Sequence, residues 1–166
     1  ISFEQAAALP LAGLTAWQAL ITEAHLQPGE RVLNHAAAGG VGHLAVQIAK
    51  AHGAYVIGTA SAANHPFLND LGIDQCIDYH REAFDQACTE LDVILDSVGG
   101  EIMTRSINIL KPGGRLVTLL GHRFTEAFAK AEQQNVNATA VIVSPSAADM
   151  QQLAELLATG QLDIII

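Results

Sequence analysis

Short apolar runs alternate with helically spaced stretches along this chain, and that alternation restricts the fold more than any other feature. Residues 31–36 (RVLNHA), 54–59 (AYVIGT), 75–78 (QCID), 91–95 (LDVIL), 115–120 (RLVTLL) and 138–143 (ATAVIV) each read as a strand. Between them, 41–52 places Val41, Leu44, Ala45, Ile48 and Ala49 on one helical face and closes at Gly53. Shorter helices are expected at 66–71, 101–110 and 125–133, the second stopped by Lys111-Pro112-Gly113-Gly114. A last helix at 146–158 carries Met150, Leu153, Leu156 and Leu157 on one face. Strands that are continuous apolar runs are covered on both faces, and strand–helix alternation winds right-handed crossovers into a parallel sheet. The expected fold is α/β, a doubly wound six-stranded parallel sheet.

Composition narrows the class. Eight Lys+Arg against seventeen Asp+Glu give 8 − 17 = −9, which disfavours nucleic acid or an anionic membrane as partner. Half of the residues are hydrophobic, which excludes bulk disorder and suffices for a core. No apolar run approaches the ~18 residues of a membrane span. The nearest, 6–21, is interrupted by Pro10, Gly13, Thr15 and Gln18 and follows no basic segment that would make it a signal peptide. Cys76 and Cys88 lack CxxC spacing and are expected to be reduced, partly buried thiols of a cytoplasmic protein.

Residues 1–25 read as helical, with Ser2 as N-cap, Glu4 or Gln5 in the first turn, and a break at Pro10 and Gly13. A second helix, 14–23, has Leu14, Trp17 and Ile21 near helical spacing. The chain opens on Ile1 and stops on the strand-like run 162–166, so an excised domain with a missing neighbour is expected: linker helices over 1–25 and one domain over 26–166.

The sharpest motif is Ala37-Ala38-Gly39-Gly40-Val41-Gly42, between the first strand and its helix. It follows G-x-G-x-x-G with Ala37 in the first place. Gly39 lets a pyrophosphate approach the backbone, Gly42 lets the helix pack against the strand, and the helix N-terminus offers free N–H groups to phosphate. The strand before, the amphipathic helix after and the strand beyond are the context that dinucleotide binding requires. About 20 residues on, where an Asp or Glu would hold both ribose hydroxyls of NAD, the chain reads Gly58-Thr59-Ala60-Ser61 and the next acid is Asp70. An acid would repel a 2′-phosphate, and the Ser61 hydroxyl can bond one. This favours NADPH over NADH.

With these residues in hand, the whole chain resembles the medium-chain dehydrogenase/reductase superfamily, in particular its zinc-independent quinone oxidoreductase branch. The resemblance rests on Phe3-Glu4-Gln5-Ala6-Ala7-Ala8-Leu9-Pro10 with Gly13-Leu14-Thr15-Ala16-Trp17, on Ala36 to Gly42 as A-x-x-G-x-x-G, on Asp96-Ser97-Val98-Gly99-Gly100, and on Leu110-Lys111-Pro112-Gly113-Gly114-Arg115 followed by Leu119-Leu120-Gly121. It implies a Rossmann cofactor domain. The backbone of Ala38, Gly39, Gly40 and Val41 would cradle the pyrophosphate. Ser61 and Tyr79 would face the adenosine 2′-phosphate, Val98 and Gly121 would line the nicotinamide end, and Thr15 would sit near its ribose. The branch often has a Lys shortly after the Ser. Here 62–65 reads Ala-Ala-Asn-His, and His65 substitutes only partly for a permanent cation. The resemblance further implies hydride transfer from NADPH to a quinone or enone without metal, at a pocket shared with a second domain. It also implies a homodimer paired through the edge of the sixth strand, where Val141, Ile142 and Val143 are apolar. Two other readings are a zinc-dependent alcohol dehydrogenase and a non-catalytic dinucleotide sensor or scaffold.

The remaining constellations are read structurally. His25, His35, His43, His52, His65, His80 and His122 form no HxxxH or HExxH motif, and solvated or capping roles are expected. Asp96 is expected to cap the turn after its strand rather than pair with Asp92 in acid–base work. Ser97 with His122 makes no triad, because the Gly-x-Ser-x-Gly elbow is missing.

Overall fold

A computed structural model describes residues 1–121 and 125–166. Six strands, β1 (Arg31–Asn34), β2 (Tyr55–Ala60), β3 (Gln75–Asp78), β4 (Leu91–Asp96), β5 (Leu110–Thr118) and β6 (Asn137–Ala140), form one sheet in the order β3-β2-β1-β4-β5-β6. Every neighbouring pair is parallel. The chain starts mid-sheet at β1, winds outward to β3, then returns to lay β4 beside β1. The strand order therefore reverses between β1 and β4, and a crevice opens there at the carboxyl ends.

Each face of the sheet is buried separately, which is why the strands read as unbroken apolar runs. On one face, α3 (Gly42–Ala51), α4 (His65–Asp70), α8 (Ala147–Ala158) and the N-terminal helices bury Leu20, Leu44, Ile48, Leu68 and Leu153 against Val32, Val56, Val93, Leu95 and Val117. On the other, α5 (Phe84–Ala87), α6 (Gly100–Ile107) and α7 (Thr125–Gln133) bury Phe84, Met103, Ile107 and Ala131 against Leu33, Ile57, Ile77, Ile94 and Leu116. Both cysteines are free thiols, and burial pushes Cys88 up to about 11.

Five local expectations change. The N-terminal stretch does not break at Pro10 and Gly13. α1 (Phe3–Ala8), capped by Ser2 and Gln5 reciprocally, runs through a wide π-type segment (Leu9–Gly13) into α2 (Leu14–Trp17) and a second π-type segment (Gln18–Glu23). Pro10 sits at the start of the first wide segment, and the widened turn accommodates the hydrogen bond its missing N–H cannot make; Gly13 lies against the Leu9 side chain, 2.8 Å from where a Cβ would stand. Second, α6 ends at Ile107 rather than 110, and Leu110 already pairs with Leu91. Lys111 to Gly114 then bulge before Arg115 rejoins opposite Val93, with Lys111 bonded to Asp92. Third, α5 escapes sequence reading because a single turn has no period. Fourth, β6 stops at Ala140. Val141 is 7% exposed and belongs to the core, while Ile142 is 75% exposed beyond the strand. The chain leaves the sheet because Gln18 fastens the segment beyond β6, donating to the Ser144 carbonyl and accepting from its amide.

Finally, the run 162–166 is not a strand. Gln47 binds both the amide and the carbonyl of Asp163, Gln5 donates to the Ile164 carbonyl, and Leu162 and Ile164 are buried. Among the described residues no helix is long and apolar enough to cross a membrane.

Candidate functional site

The β1–α3 turn is built around two kinds of glycine. A Cβ on Gly42 would lie 2.3 Å from the Ala36 carbonyl oxygen and 2.7 Å from that of Ala37, so Gly42 is required for α3 to start this close to β1. Gly40 is different. It has no positive φ, and a Cβ there would meet nothing within 4 Å. Neither its backbone conformation nor its packing asks for glycine, which leaves close approach by something outside the chain. Gly39 is intermediate, 3.2 Å from the Ala36 oxygen. Ala36 itself adopts φ +51°, a strained conformation for a residue with a Cβ, and it folds the turn back over the strand end.

Within that turn Gly39 donates to Ala36 and His43 to Gly39, whereas the amides of Ala38, Gly40 and Val41 find no acceptor among the described residues. Val41, the N-cap, gives α3 no side-chain cap. Unpaired N–H groups at the positive end of a ten-residue helix, beside a glycine open to space, form a cradle of the kind that accepts a phosphate. This is an observation of the chain itself, and it fits the dinucleotide that the motif implies.

Beside the cradle, at the β1/β4 crevice, is a largely apolar cavity of about 350 Å³ lined by His35, Ala36, Thr59, Tyr79, Phe84, Val98 and Ile102. Strand alternation explains the polar wall. His35 and Thr59 point to the face opposite α3. His35 is 2% exposed; its Nδ1 lies 3.2 Å from Thr59 Oγ1 and its Nε2 2.9 Å from Ser106 Oγ. Ser106 donates its own proton to the Ile102 carbonyl, so His35 Nε2–H donates to Ser106 and Nδ1 accepts from Thr59. Burial pushes His35 down to about 4, against the pull of Asp96 and with the help of Arg105. The imidazole is neutral at physiological pH. The Phe84 ring packs edge-on against it at 4.7 Å and is covered by Arg105, itself held by two bonds to Asp85. The expectation of solvated or capping histidines fails for His35 and for the buried His43, whose Nδ1 meets the Gly39 carbonyl. Strand and helix periodicity point both inward. Phe84 and Ile102 were missed as wall residues because no local motif marks them.

The loops after the strands bring several expected residues together. Asp96, fully buried, accepts from the amides of Val98 and Gly99, the capping role expected of it, and Ser97 donates to the His35 carbonyl. Val98 and Tyr79 reach the cavity wall. Ala60 and Asp78 pair across β2 and β3, which puts Ser61 and Tyr79 on adjacent strand ends. Ser61 leads into a 3₁₀ turn (Ala62–Asn64), and His65 opens α4 with Nε2 buried and unpartnered. Gly121 follows β5 with φ +75°, as a turn leaving the sheet. Thr15 is not at the cavity. Its hydroxyl donates to the Leu11 carbonyl in the wide segment before α2, and neighbouring Leu14 lines a separate hollow with Val143 and Ser144. His122 lies outside the described residues. A wider groove of about 550 Å³ between α3, α4 and the C-terminal segment is remote from the crevice.

Cradle, cavity and reversing strand order define a dinucleotide-binding domain. Residues 40–159 match the model of the zinc-binding dehydrogenase family, and the chain belongs to that family, within the medium-chain dehydrogenase/reductase superfamily. The quinone oxidoreductase from Coxiella burnetii superposes with a TM-score of 0.94 at 42% identity, over 100% of this chain and 52% of that one. The nucleotide-binding subdomain of the enoylreductase domain of PpsC from Mycobacterium tuberculosis gives 0.76 at 32% identity, over 95% of this chain and 98% of that one. Polyketide synthase GfsB from Streptomyces halstedii is 49% identical over 122 residues, 71% of this chain and 2% of that protein. The chain thus spans about half of the quinone oxidoreductase and a small part of the synthase. The family's description names zinc, but the described residues hold no group of three or more His, Cys, Asp or Glu able to bind a metal, so this chain supplies no zinc site from them.

Proposed function

We propose that this chain is the NADPH-binding part of a zinc-independent reductase that transfers hydride to a quinone or enone. The observation that carries the cofactor choice is the end of β2. No acid follows it, Ser61 stands where a ribose-binding carboxylate would, and neighbouring Asp78 turns its Oδ1 to the His80 amide in its own loop. The similarity to a quinone oxidoreductase and to enoyl reductases supports an electron-poor, conjugated acceptor. Bound NADPH supplies the hydride. The chain's own part is to hold it: amides of Ala38, Gly40 and Val41 on the pyrophosphate, Ser61, His65 and Tyr79 toward the 2′-phosphate, Val98 and Gly121 at the nicotinamide end, and Thr15 toward its ribose. Neutral His35 keeps the cavity wall free of charge, so the bound cofactor meets an uncharged, largely apolar surface there. We also place the protein in the cytoplasm as a homodimer joined at the β6 edge.

The test is turnover of the full-length protein with NADPH and with NADH against a panel of quinones and enones, with and without chelator. Chelator-resistant NADPH oxidation is expected. Turnover abolished by chelation would support the zinc-dependent alcohol dehydrogenase reading, and cofactor binding without any turnover would support a sensor or scaffold.

A further inference from the structure

Three side chains clasp residues 163–165. Gln47 accepts from the Asp163 amide at 2.7 Å and donates to its carbonyl at 2.9 Å. Gln5 donates to the Ile164 carbonyl at 3.0 Å, and Nε2 of His43 accepts from the Ile165 amide at 3.4 Å. These backbone groups are satisfied as a neighbouring strand would satisfy them, but by helix side chains. His43 and Gln47 stand one turn apart on α3, and both are buried. Gln47 also donates to the His43 carbonyl, which ties the two together.

The other nitrogen of His43 reaches the phosphate turn. Nδ1 lies 3.0 Å from the Gly39 carbonyl oxygen, which also accepts from the His43 amide. Neither outside partner of the ring can exchange roles, because a carbonyl only accepts and an amide N–H only donates. The ring therefore carries its proton on Nδ1 and leaves Nε2 bare for Ile165. His52 makes the same local contact to the Ile48 carbonyl, but that carbonyl lies within α3. At His43 it belongs to the turn. A peptide is planar and trans, so fixing the Gly39 carbonyl also fixes the Gly40 N–H, which points the opposite way. That N–H is one of the three that find no acceptor among the described residues, and it lies beside the open space above Gly40.

We infer that His43 is a positioning residue that couples the phosphate turn to the segment 163–165, orienting the Gly39–Gly40 peptide with one ring nitrogen and holding Ile165 with the other. This rests on the dinucleotide reading of the cradle and not on the choice between NADPH and NADH, because both carry the pyrophosphate. The coupling is reciprocal. A pyrophosphate that fixes the Gly39–Gly40 peptide steadies the ring, and the ring steadies the segment; a docked segment in turn holds the peptide ready for the ligand.

Calorimetric titration of the full-length protein with NADPH and with NADH, together with amide hydrogen exchange of the peptide 161–166, tests it for the parent, His43→Leu and His43→Asn. Leu removes both polar contacts and keeps an apolar body near Phe67. Asn carries an N–H donor on its Cγ, as His carries Nδ1, and has nothing at the place of Nε2. His43→Leu should bind both cofactors roughly 3- to 10-fold more weakly, as loss of one hydrogen bond implies, and to the same degree. His43→Asn should recover most of that affinity, which a merely structural role would not restore. In the parent, saturating cofactor should slow exchange of the 161–166 amides several-fold, and in both variants that slowing should vanish. The parent exchange experiment needs no substitution, so it decides the coupling even if a variant unfolds. Parental affinity in His43→Leu, or no recovery in His43→Asn, overturns the positioning role. Exchange in the parent that ignores the cofactor overturns the coupling. A parent that binds neither cofactor overturns the cradle reading itself.

Discussion

Lowering the pH should destabilise this domain through His35 before its carboxylates matter. The folded state holds that imidazole neutral, with burial pushing it from 6.5 down to about 4. The unfolded chain binds a proton there near the ordinary value. The contribution to stability is therefore complete above pH 6.5 and is lost progressively as pH falls toward 4. For those two values the linkage gives about 2.5 kcal/mol lost between pH 7.5 and 4.5. In a domain of this size that corresponds to roughly 5–10 °C in Tm. Denaturant unfolding at intervals across that range, for the parent and His35→Gln, isolates the effect. Gln is neutral and can still donate to Ser106. The variant should start less stable at pH 7.5 by about 1–3 kcal/mol, since Thr59 and Ser106 lose their fitted partner. Its stability should then fall less steeply, so that the two proteins converge toward pH 4.5. Every other titrating group is common to both and cancels in the difference. Parallel stability–pH curves would refute the reasoning, because they would mean that His35 takes up its proton as readily folded as unfolded.

The two glycines should separate binding from folding. Gly40→Val meets open space, so it should leave the melting temperature within a few degrees while lowering dinucleotide affinity at least tenfold by calorimetry. Gly42→Val drives a side chain into the backbone of Ala36 and Ala37 and should unfold the domain or cost several kcal/mol by denaturant titration. A well-folded Gly42→Val protein would contradict the packing role. For assembly, the parent should sediment as a dimer at micromolar concentration and Ile142→Asp should shift it toward monomer. Ile142 is the large apolar side chain exposed just beyond β6, whereas a substitution at buried Val141 would damage the core instead. A monomeric parent would end the dimer proposal.

Much of this molecule was legible in its sequence because the relevant physics is local. Apolar runs of four to six residues separated by helical periods are enough to specify a doubly covered parallel sheet, and β3 and α7 fall where the spacing puts them. The glycines of the β1–α3 turn were legible for the same reason, since a strand feeding a helix leaves few other ways to present free amides. The sequence could not separate the task of Gly40 from that of Gly42. That division depends on where the Ala36 and Ala37 carbonyls end up, 2.3 and 2.7 Å from the space above Gly42 and away from that above Gly40. Nor could it show that Pro10 would be absorbed into a wider helical turn, or that Gln18 and Gln47 would fasten segments more than a hundred residues away and so end β6 early and fold back the C-terminus. His35 is the clearest case. As a residue type it reads as a titrating, solvent-seeking group. Only the assembled sheet places it between Thr59, Ser106 and Phe84, which lie 24, 71 and 49 positions along the chain, where desolvation outweighs the pull of Asp96 and makes it a neutral wall of the cavity. Local periodicity sets which face a side chain takes; its neighbours on that face are decided by packing between elements distant in sequence.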